Sequence, residues 1–233
     1  MTADNTLSPV VMAAGEAAAS SASPAPAKRY KGIAIVGSNP LTKFLAPFDD
    51  PDWLIWACSP SNSPHGLQDT KLIPRWDAWF ELHRPVAHPT RPFGYLNWLK
   101  DNAPVLYMRD ATGAKFFPGA KPYPDKAMKA EFGPFIFTSS IAYMQALAIF
   151  ECQRLSIPMI GLYGILQAHE TEYNKHKIGT QQFIFEAKKR GISTGVPTPD
   201  QIKATDDNGN LRQEFLVAVQ ALKELFSPPA EDW

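Results

Sequence analysis

Short apolar segments recur along most of the chain, and they limit its fold more than any other feature. Each is five to seven residues long, is rich in β-branched or aromatic residues, and lies beside glycine, proline or polar residues. This pattern is typical of buried strands in a parallel sheet, which are covered on both faces and therefore do not alternate with polar residues. The predicted strands are residues 32–37, 53–58, 78–83, 104–108, 158–164 and 192–197.

Helical patterns separate several of these strands. The longest covers residues 139–155, where apolar residues recur at spacings of three and four, and Thr138 or Ser139 is its natural N-cap. Shorter patterns predict helices over residues 93–101, 180–189 and 211–226. Strands that alternate with helices favour a parallel sheet covered by helices. We therefore predict an α/β, Rossmann-like fold with a mostly parallel sheet of five to six strands and helices on both faces.

The first 29 residues differ in composition from the rest. They are dominated by Ala, Ser and Pro and contain no aromatic residue, so burial cannot offset the entropy of ordering them. We predict a flexible N-terminal arm over residues 1–29, a single domain over 30–228 and a short tail over 229–233. The arm is either a simple tail or a segment that orders on a partner subunit.

Charge and cysteine content argue against several functions. Lys and Arg number 23, as do Asp and Glu, and no basic cluster suits a nucleic-acid backbone. Cys58 and Cys152 lack the spacing of a zinc site or a disulfide framework, so no metal is predicted and a reducing, intracellular setting fits best. No apolar run reaches the roughly 20 residues of a membrane span, and we expect no secretion signal, because the first residues lack a basic region followed by an apolar one. We expect neither membrane nor direct nucleic-acid binding.

Two segments are candidates for holding a ligand. The turn after the first strand, Gly37, Ser38 and Asn39, is expected to line the crevice of an open parallel sheet. It is not a GxGxxG motif, which disfavours NAD, and its polar residues suit either a ligand or a tight turn. Residues 138–140, Thr138, Ser139 and Ser140, open the longest helix and combine hydroxyl groups with free helix amides, which favours an anion as well as simple capping.

Two further clusters could supply a catalytic acid or base. Glu81 and His83 lie two residues apart, so a strand places them on one face together with Trp79, where the carboxylate can orient the imidazole; a structural pair is the alternative. His169 lies in the segment HETEY, which is not a HExxH zinc motif because Tyr173 replaces the second histidine. That segment is either a source of a catalytic base or a solvated loop.

Several strings, in this order and spacing, resemble a set of phage and prophage-encoded Rossmann-like proteins of poorly defined function. They include VGSNP at 36–40, RWDAWFELH at 75–83, FTSSIAYM at 137–144, IGLYG at 160–164 and EY at 172–173. That set is in turn distantly similar to bacterial lipooligosaccharide sialyltransferases and to pterin-diphosphokinase-like domains. The resemblance covers about residues 31–195 and is mostly a likeness of fold for the enzyme families.

The resemblance implies roles for particular residues. Ser38 and Asn39 would line a nucleotide crevice, Ser59 would lie where an asparagine often contacts the ligand, and Ser139 would face the nucleotide phosphate or the donor carboxylate. The sialyltransferase-like pattern has an acid after the strand ending at Gly164, where this chain has Leu166. The predicted ligand-binding set also includes two tyrosines, Tyr163 and Tyr173.

We therefore expect a nucleotide- or nucleotide-sugar-binding phage-type protein, similar to glycosyltransferases. The alternative is a non-catalytic phage particle or assembly protein that retains the fold. The expected partners are a nucleotide-type small molecule and either phage structural subunits or further copies of the chain. No cofactor is specified beyond that nucleotide or nucleotide sugar, and the expected location is the cytoplasm of an infected bacterial host or the virion.

Overall fold

A computed structural model describes residues 28–64, 72–83, 94–110, 115, 117, 119–165, 172–202 and 213–226. Seven strands form one sheet, in which every neighbouring pair is parallel. The strands are β1 (Gly32–Val36), β2 (Trp53–Cys58), β3 (Ala78–Glu81), β4 (Leu106–Met108), β5 (Lys121–Pro122), β6 (Met159–Tyr163) and β7 (Ser193–Gly195).

The strand order is β5-β4-β3-β2-β1-β6-β7, which confirms the predicted Rossmann-like α/β fold. The sheet has seven strands, whereas the sequence predicted five to six. The additional strand is β5, whose two residues, Lys121 and Pro122, lie outside any apolar run. The outermost strands, β5 and β7, have only two and three residues.

Five α-helices lie in the described ranges, and they cover both faces of the sheet. They are α1 (Tyr95–Asn102), α2 (Asp125–Phe132), α3 (Ser140–Leu155), α4 (Glu172–Lys189) and α5 (Gln213–Phe226). On one face, α1 packs through Tyr95 and Leu99 against residues such as Val36 and Trp79. On the other face, α3 packs against a core that also includes residues of α4 and α5. The predicted two-sided covering is therefore correct.

Local sequence signals explain where the helices begin and end. Ser139 caps α3 as predicted, because its hydroxyl oxygen accepts a hydrogen bond from the Ala142 amide at 3.2 Å. Helix α4 ends at Lys189, and Gly191 follows it with a φ of 73°, which glycine readily adopts. Ile192 N then donates back to Ala187 O at 3.0 Å and closes the end of the helix. Helix α4 begins at Glu172, eight residues before the predicted start, in a polar stretch that lacks apolar periodicity.

The direction of the strands defines two edges of the sheet. Helix α3 leads into β6 and packs on both β1 and β6, so it runs antiparallel to the strands and begins at their carboxyl ends. The predicted arm, apart from residues 28–29, and the predicted tail lie outside the described residues. Within the ranges described, no helix is both long enough and apolar enough to span a membrane.

Candidate functional site

The strand order reverses between β1 and β6, and ligands of open parallel sheets bind where the loops of such strands diverge. Here the two loops are in close contact. Gly37 N donates to Tyr163 O at 2.8 Å, and a Cβ atom on Gly37 would lie 2.5 Å from Gly164 O. Gly164 has a φ of 65°, and a Cβ atom on it would lie 2.5 Å from Gly37 O. Only glycine fits at either position, and the base of the crevice is closed.

The turn after β1 is stabilised by Asn39. Its Oδ1 accepts from Leu41 N at 3.0 Å, its carbonyl accepts from Lys43 N at 3.0 Å, and its amide donates to Gly164 O at 2.9 Å. Most of its polar groups therefore hold the turn. The exposed Ser38 hydroxyl has no hydrogen-bond partner in the described part of the chain, so it is the more available of the two predicted side chains.

The loop after β2 contains Ser59 and the fully buried Asn62. Asn62 Nδ2 lies 2.7 Å from Cys58 O and 3.2 Å from both Val36 O and Gly37 O, which ties the ends of β1 and β2 together. Ser59 has a φ of 75°, which is unusual for a residue with a side chain, and its hydroxyl oxygen accepts from Ser61 N at 3.3 Å. The structure therefore gives Ser59 a role in the turn.

Lys43 is buried beside this loop, although lysine is rarely buried without partners. Its Nζ donates to Ser61 O at 3.2 Å and lies 4.9 Å from the centre of the Phe44 ring. The adjacent Thr42 hydroxyl accepts from Gly164 N at 2.9 Å. Lys43 therefore holds the β1 and β2 loops together from inside the protein.

Glu81 is buried in a hydrogen-bonded chain of side chains. Its Oε2 accepts from the Tyr95 hydroxyl at 2.9 Å, and that hydroxyl accepts from Trp79 Nε1 at 3.0 Å. Its Oε1 accepts from the His83 amide at 3.1 Å and lies 3.6 Å from His83 Nδ1. The pairing expected from the sequence is therefore present, with a fixed carboxylate and an imidazole that is 58% exposed.

The sheet separates the predicted site residues. Glu81 hydrogen-bonds to Tyr95 of α1, and Tyr163 also packs in the cluster on the α1 face. Burial raises the pKa of the Tyr163 hydroxyl. Ser139 begins α3, which covers the opposite face. The predicted residues therefore share the carboxyl edge of the sheet without forming one cluster.

The first turn of α3 presents unpaired amides at this edge. The Ser139 hydroxyl and carbonyl accept from Ala142 N and Tyr143 N, at 3.2 and 3.1 Å. The amides of Ser140 and Ile141 have no acceptor in the described ranges. Free amides and the positive end of the helix dipole attract an anion.

Thr138, in contrast, is used in packing. Its hydroxyl donates to His176 O of α4 at 3.4 Å. A Cβ atom on Gly179 would lie 2.2 Å from the Thr138 hydroxyl oxygen and 2.5 Å from Ile136 O. The segment before α3 therefore packs directly against the backbone of α4, and Thr138 helps to fix the start of α3.

Arg109 is the residue that the sequence prediction missed. It follows β4, its Nη1 lies 3.5 Å from Leu82 O, and its guanidinium carbon lies 5.8 Å from the centre of the Tyr143 ring. It therefore connects the end of β3, next to His83, with the first turn of α3. In the sequence, Arg109 comes directly after Tyr107 and Met108 at the end of an apolar run. A basic residue directly after a buried parallel strand lies at the carboxyl edge of the sheet.

For three of the remaining predicted residues, the structure describes no side-chain contact. His169 and Leu166 lie outside the described residues, and Tyr173 lies in the first turn of α4 with no described side chain.

In the ranges that the structure describes, no group of three or more His, Cys, Asp and Glu side chains could hold a metal ion. Burial raises the pKa values of Cys58 and Cys152 to about 12, with a further contribution from a nearby glutamate in each case.

Comparison with known proteins gives no relative: no family model, no curated protein and no solved structure matches this chain. The class is therefore defined by the fold alone. The protein is a Rossmann-like α/β protein with polar groups gathered at the carboxyl edge of its sheet.

Proposed function

We propose that the protein binds a nucleotide or a nucleotide sugar, with the phosphate at the start of α3, and that it is a phage-type protein similar to glycosyltransferases. One observation carries this proposal. The amides of Ser140 and Ile141 are unpaired at a capped helix start, and a cationic side chain, Arg109, reaches the same helix turn.

The charge around α3 supports an anionic ligand. Arg109 and Lys129 both lie beside the ring of Tyr143, at 5.8 and 5.9 Å from its centre. Lys129 also forms an ion pair with Asp125 at 2.8 Å, whereas Arg109 is exposed at the edge. A guanidinium group can bind two phosphate oxygens at once, which makes Arg109 the stronger candidate for a phosphate contact.

A transfer reaction at this edge needs a base for the acceptor. In the proposed reaction, His83 takes the proton of an acceptor hydroxyl as its oxygen forms a bond to the anomeric carbon of the donor sugar. The bond from that carbon to the phosphate oxygen breaks, and the phosphate leaves with the electron pair. The helix amides and Arg109 would stabilise the leaving phosphate, while Glu81 orients the imidazole.

A second function is favoured by a different observation. The Gly37 and Gly164 loops close the base of the crevice, and the Glu81 carboxylate already accepts hydrogen bonds within the protein. Both features suit a non-catalytic phage particle or assembly protein that retains the fold. In that case no substrate would react at the carboxyl edge.

Ligand binding is tested with a thermal-shift panel of CMP, UDP, CMP-sialic acid, UDP-sugars and ATP. A ligand present at a hundred times its dissociation constant should stabilise the protein by ~2.7 kcal/mol. Arg109→Met should weaken the binding of any responding ligand by about tenfold or more, because a charge-assisted hydrogen bond is lost. Arg29→Met is the matched control, because Arg29 is exposed and precedes β1 at the amino edge.

Absence of a shift with every compound contradicts the proposal. So does an equal loss of affinity in the Arg29 and Arg109 variants. Ser139→Ala should lower ligand affinity and cost only about 1 kcal/mol of helix capping. Unchanged affinity in that variant would place the phosphate elsewhere.

Catalysis is tested separately with His83→Gln, which keeps a hydrogen bond but cannot exchange a proton near neutral pH. If His83 is the base, turnover of the responding donor should fall by ~10² to 10⁴ with donor affinity retained. If the residue is only structural, stability should fall by ~1–3 kcal/mol and nucleotide binding should persist. A variant that matches the parent in stability, binding and turnover would exclude both roles.

A further inference from the structure

A cavity of about 270 Å³ lies at the amino edge of the sheet, at the opposite end of α3 from the proposed phosphate site. Its floor is formed by side chains on the α3 face of the sheet, including Leu54, Trp56 and Tyr107. The last two turns of α3 contribute Glu151 and Leu155 to its wall. The two ends of this 16-residue helix are roughly 22 Å apart, so the cavity is separate from the phosphate site. We call this cavity the amino-edge groove.

Aromatic rings form much of the floor of the groove. Trp56 and Tyr107 are 6% and 4% exposed, and both rings pack on Phe80, at 5.1 and 4.8 Å between ring centres. A flat aromatic ligand can contact such rings in an offset-stacked or edge-to-face arrangement. The volume of the cavity equals that of about nine water molecules at ~30 Å³ each, which suits a small molecule of one or two rings.

Glu151 brings a hydrogen-bond acceptor without a partner to the wall of the groove. Its side chain is 7% exposed, and its Oε2 accepts from Arg154 Nε at 3.0 Å. Its Oε1 is buried and has no hydrogen-bond partner in the part of the chain that the structure describes. The last torsion of a glutamate side chain is broad, so Oε1 can turn toward a donor in the groove while Oε2 stays with Arg154. Because a buried acceptor without a donor is unfavourable, a ligand that supplies the donor gains affinity beyond apolar burial.

The charged side chains that line the groove sum to zero. The two acids are Asp77 and Glu151, and the two bases are Lys121 and Arg154. Asp77 Oδ2 accepts from Arg75 Nη1 at 2.9 Å, and Glu151 forms an ion pair with Arg154. Since each acid already has a cation beside it, the unpaired Oε1 favours a neutral donor over a further cation.

We propose that the amino-edge groove binds a small, uncharged, planar aromatic molecule that carries an N–H donor, with its ring on Trp56 and Tyr107 and its donor on Glu151 Oε1. The site does not depend on the proposed nucleotide site. A molecule without the donor leaves Oε1 unpaired in the complex, so the groove should select by the N–H group as well as by ring size. Indole is a suitable probe, because it combines a flat two-ring surface with one N–H group and has no charge.

The first test compares the affinities of indole and 1-methylindole for the full chain by isothermal titration calorimetry. Apolar burial alone would favour 1-methylindole, which has one more methyl group. The proposal predicts the reverse, and indole should bind about tenfold more tightly or better, because only indole can donate to Glu151. Equal affinities, tighter binding of 1-methylindole, or no binding of indole at millimolar concentration would overturn the proposal.

The second test locates the bound probe with Glu151→Gln. An amide has one oxygen, and Arg154 can only donate, so Arg154 should take that oxygen and leave the NH₂ group in the position of Oε1. The groove then keeps its shape but loses its acceptor. Indole should lose about tenfold in affinity, and its preference over 1-methylindole should disappear.

Glu186→Gln is the matched control for this variant. Glu186 pairs with Arg190 in the same way, at 3.0 Å and one turn apart on α4, but it does not line the groove. Both affinities should therefore be unchanged in Glu186→Gln. Unchanged indole binding in Glu151→Gln, or the same loss in both variants, would reject the proposal. The comparison of the two probes on the parent chain needs no variant, so it tests the proposal even if Glu151→Gln fails to fold.

Discussion

Replacing Asn62 tests how the carboxyl edge is held together. The Asn62 side chain is fully buried, and its Nδ2 group lies within 3.2 Å of three carbonyl oxygens from β1, β2 and the turn after β1. Two N–H groups can satisfy at most two of these acceptors with good geometry. Asn62→Ala removes this donor, at about 1–3 kcal/mol for each buried carbonyl that depends on it.

We expect Asn62→Ala to lower the free energy of unfolding by ~2–4 kcal/mol. The estimate is below the full sum because Asn62 Oδ1 is itself buried without a hydrogen-bond partner, and its removal recovers part of the cost. This loss is a large fraction of the ~5–15 kcal/mol that stabilises a typical domain. Asn62→Asp should cost more, because it places a carboxylate against three carbonyl oxygens.

Urea denaturation followed by tryptophan fluorescence measures this loss. The matched control is Asn102→Ala, which removes an exposed asparagine whose Nδ2 donates to Trp98 O at 2.8 Å, and it should change stability by no more than about 0.5 kcal/mol. The denaturant dependence should be the same in all variants. A loss below about 1 kcal/mol for Asn62→Ala, or a loss equal to that of the control, would refute the reasoning.

Three further predictions concern burial elsewhere in the domain. Tyr95→Phe removes the hydroxyl that donates to Glu81, so we expect the free energy of unfolding to fall by ~1–3 kcal/mol in urea denaturation. Gly179→Ala places a methyl group against the backbone before α3, and calorimetry should show a lower melting temperature despite the better helix propensity of alanine. Because burial raises the pKa values of Cys58 and Cys152 to about 12, Ellman's reagent at pH 8 should label neither in the native protein and both in urea; rapid native labelling would contradict this.

The strongest sequence signals predicted the core of the fold. The runs at β1, β2 and β6 are buried on both faces, and this burial explains why their sequences are almost continuously apolar. Ser139 was predicted as a cap from its place before an apolar helix, and the structure shows that contact. Helix α2 and strand β5 were missed because neither has a clear apolar period of useful length.

The site was harder to predict because it depends on contacts between distant segments. The alternation in β3 correctly placed Trp79 and Glu81 on one face, but it could not show that Tyr95, fourteen residues later, would hydrogen-bond to the carboxylate. The same limit applies to Arg109. Its neighbours, Leu82 and Tyr143, lie 27 and 34 positions away in the sequence, and only the folded sheet brings them together.

The short outer strands restrict how this protein can associate with others. Within the described ranges, a neighbouring chain that extended the sheet would pair with the two residues of β5 or the three of β7, and β5 includes Pro122, which has no backbone amide to donate. The two edges, as far as the structure describes them, therefore offer few backbone groups to a strand of another chain.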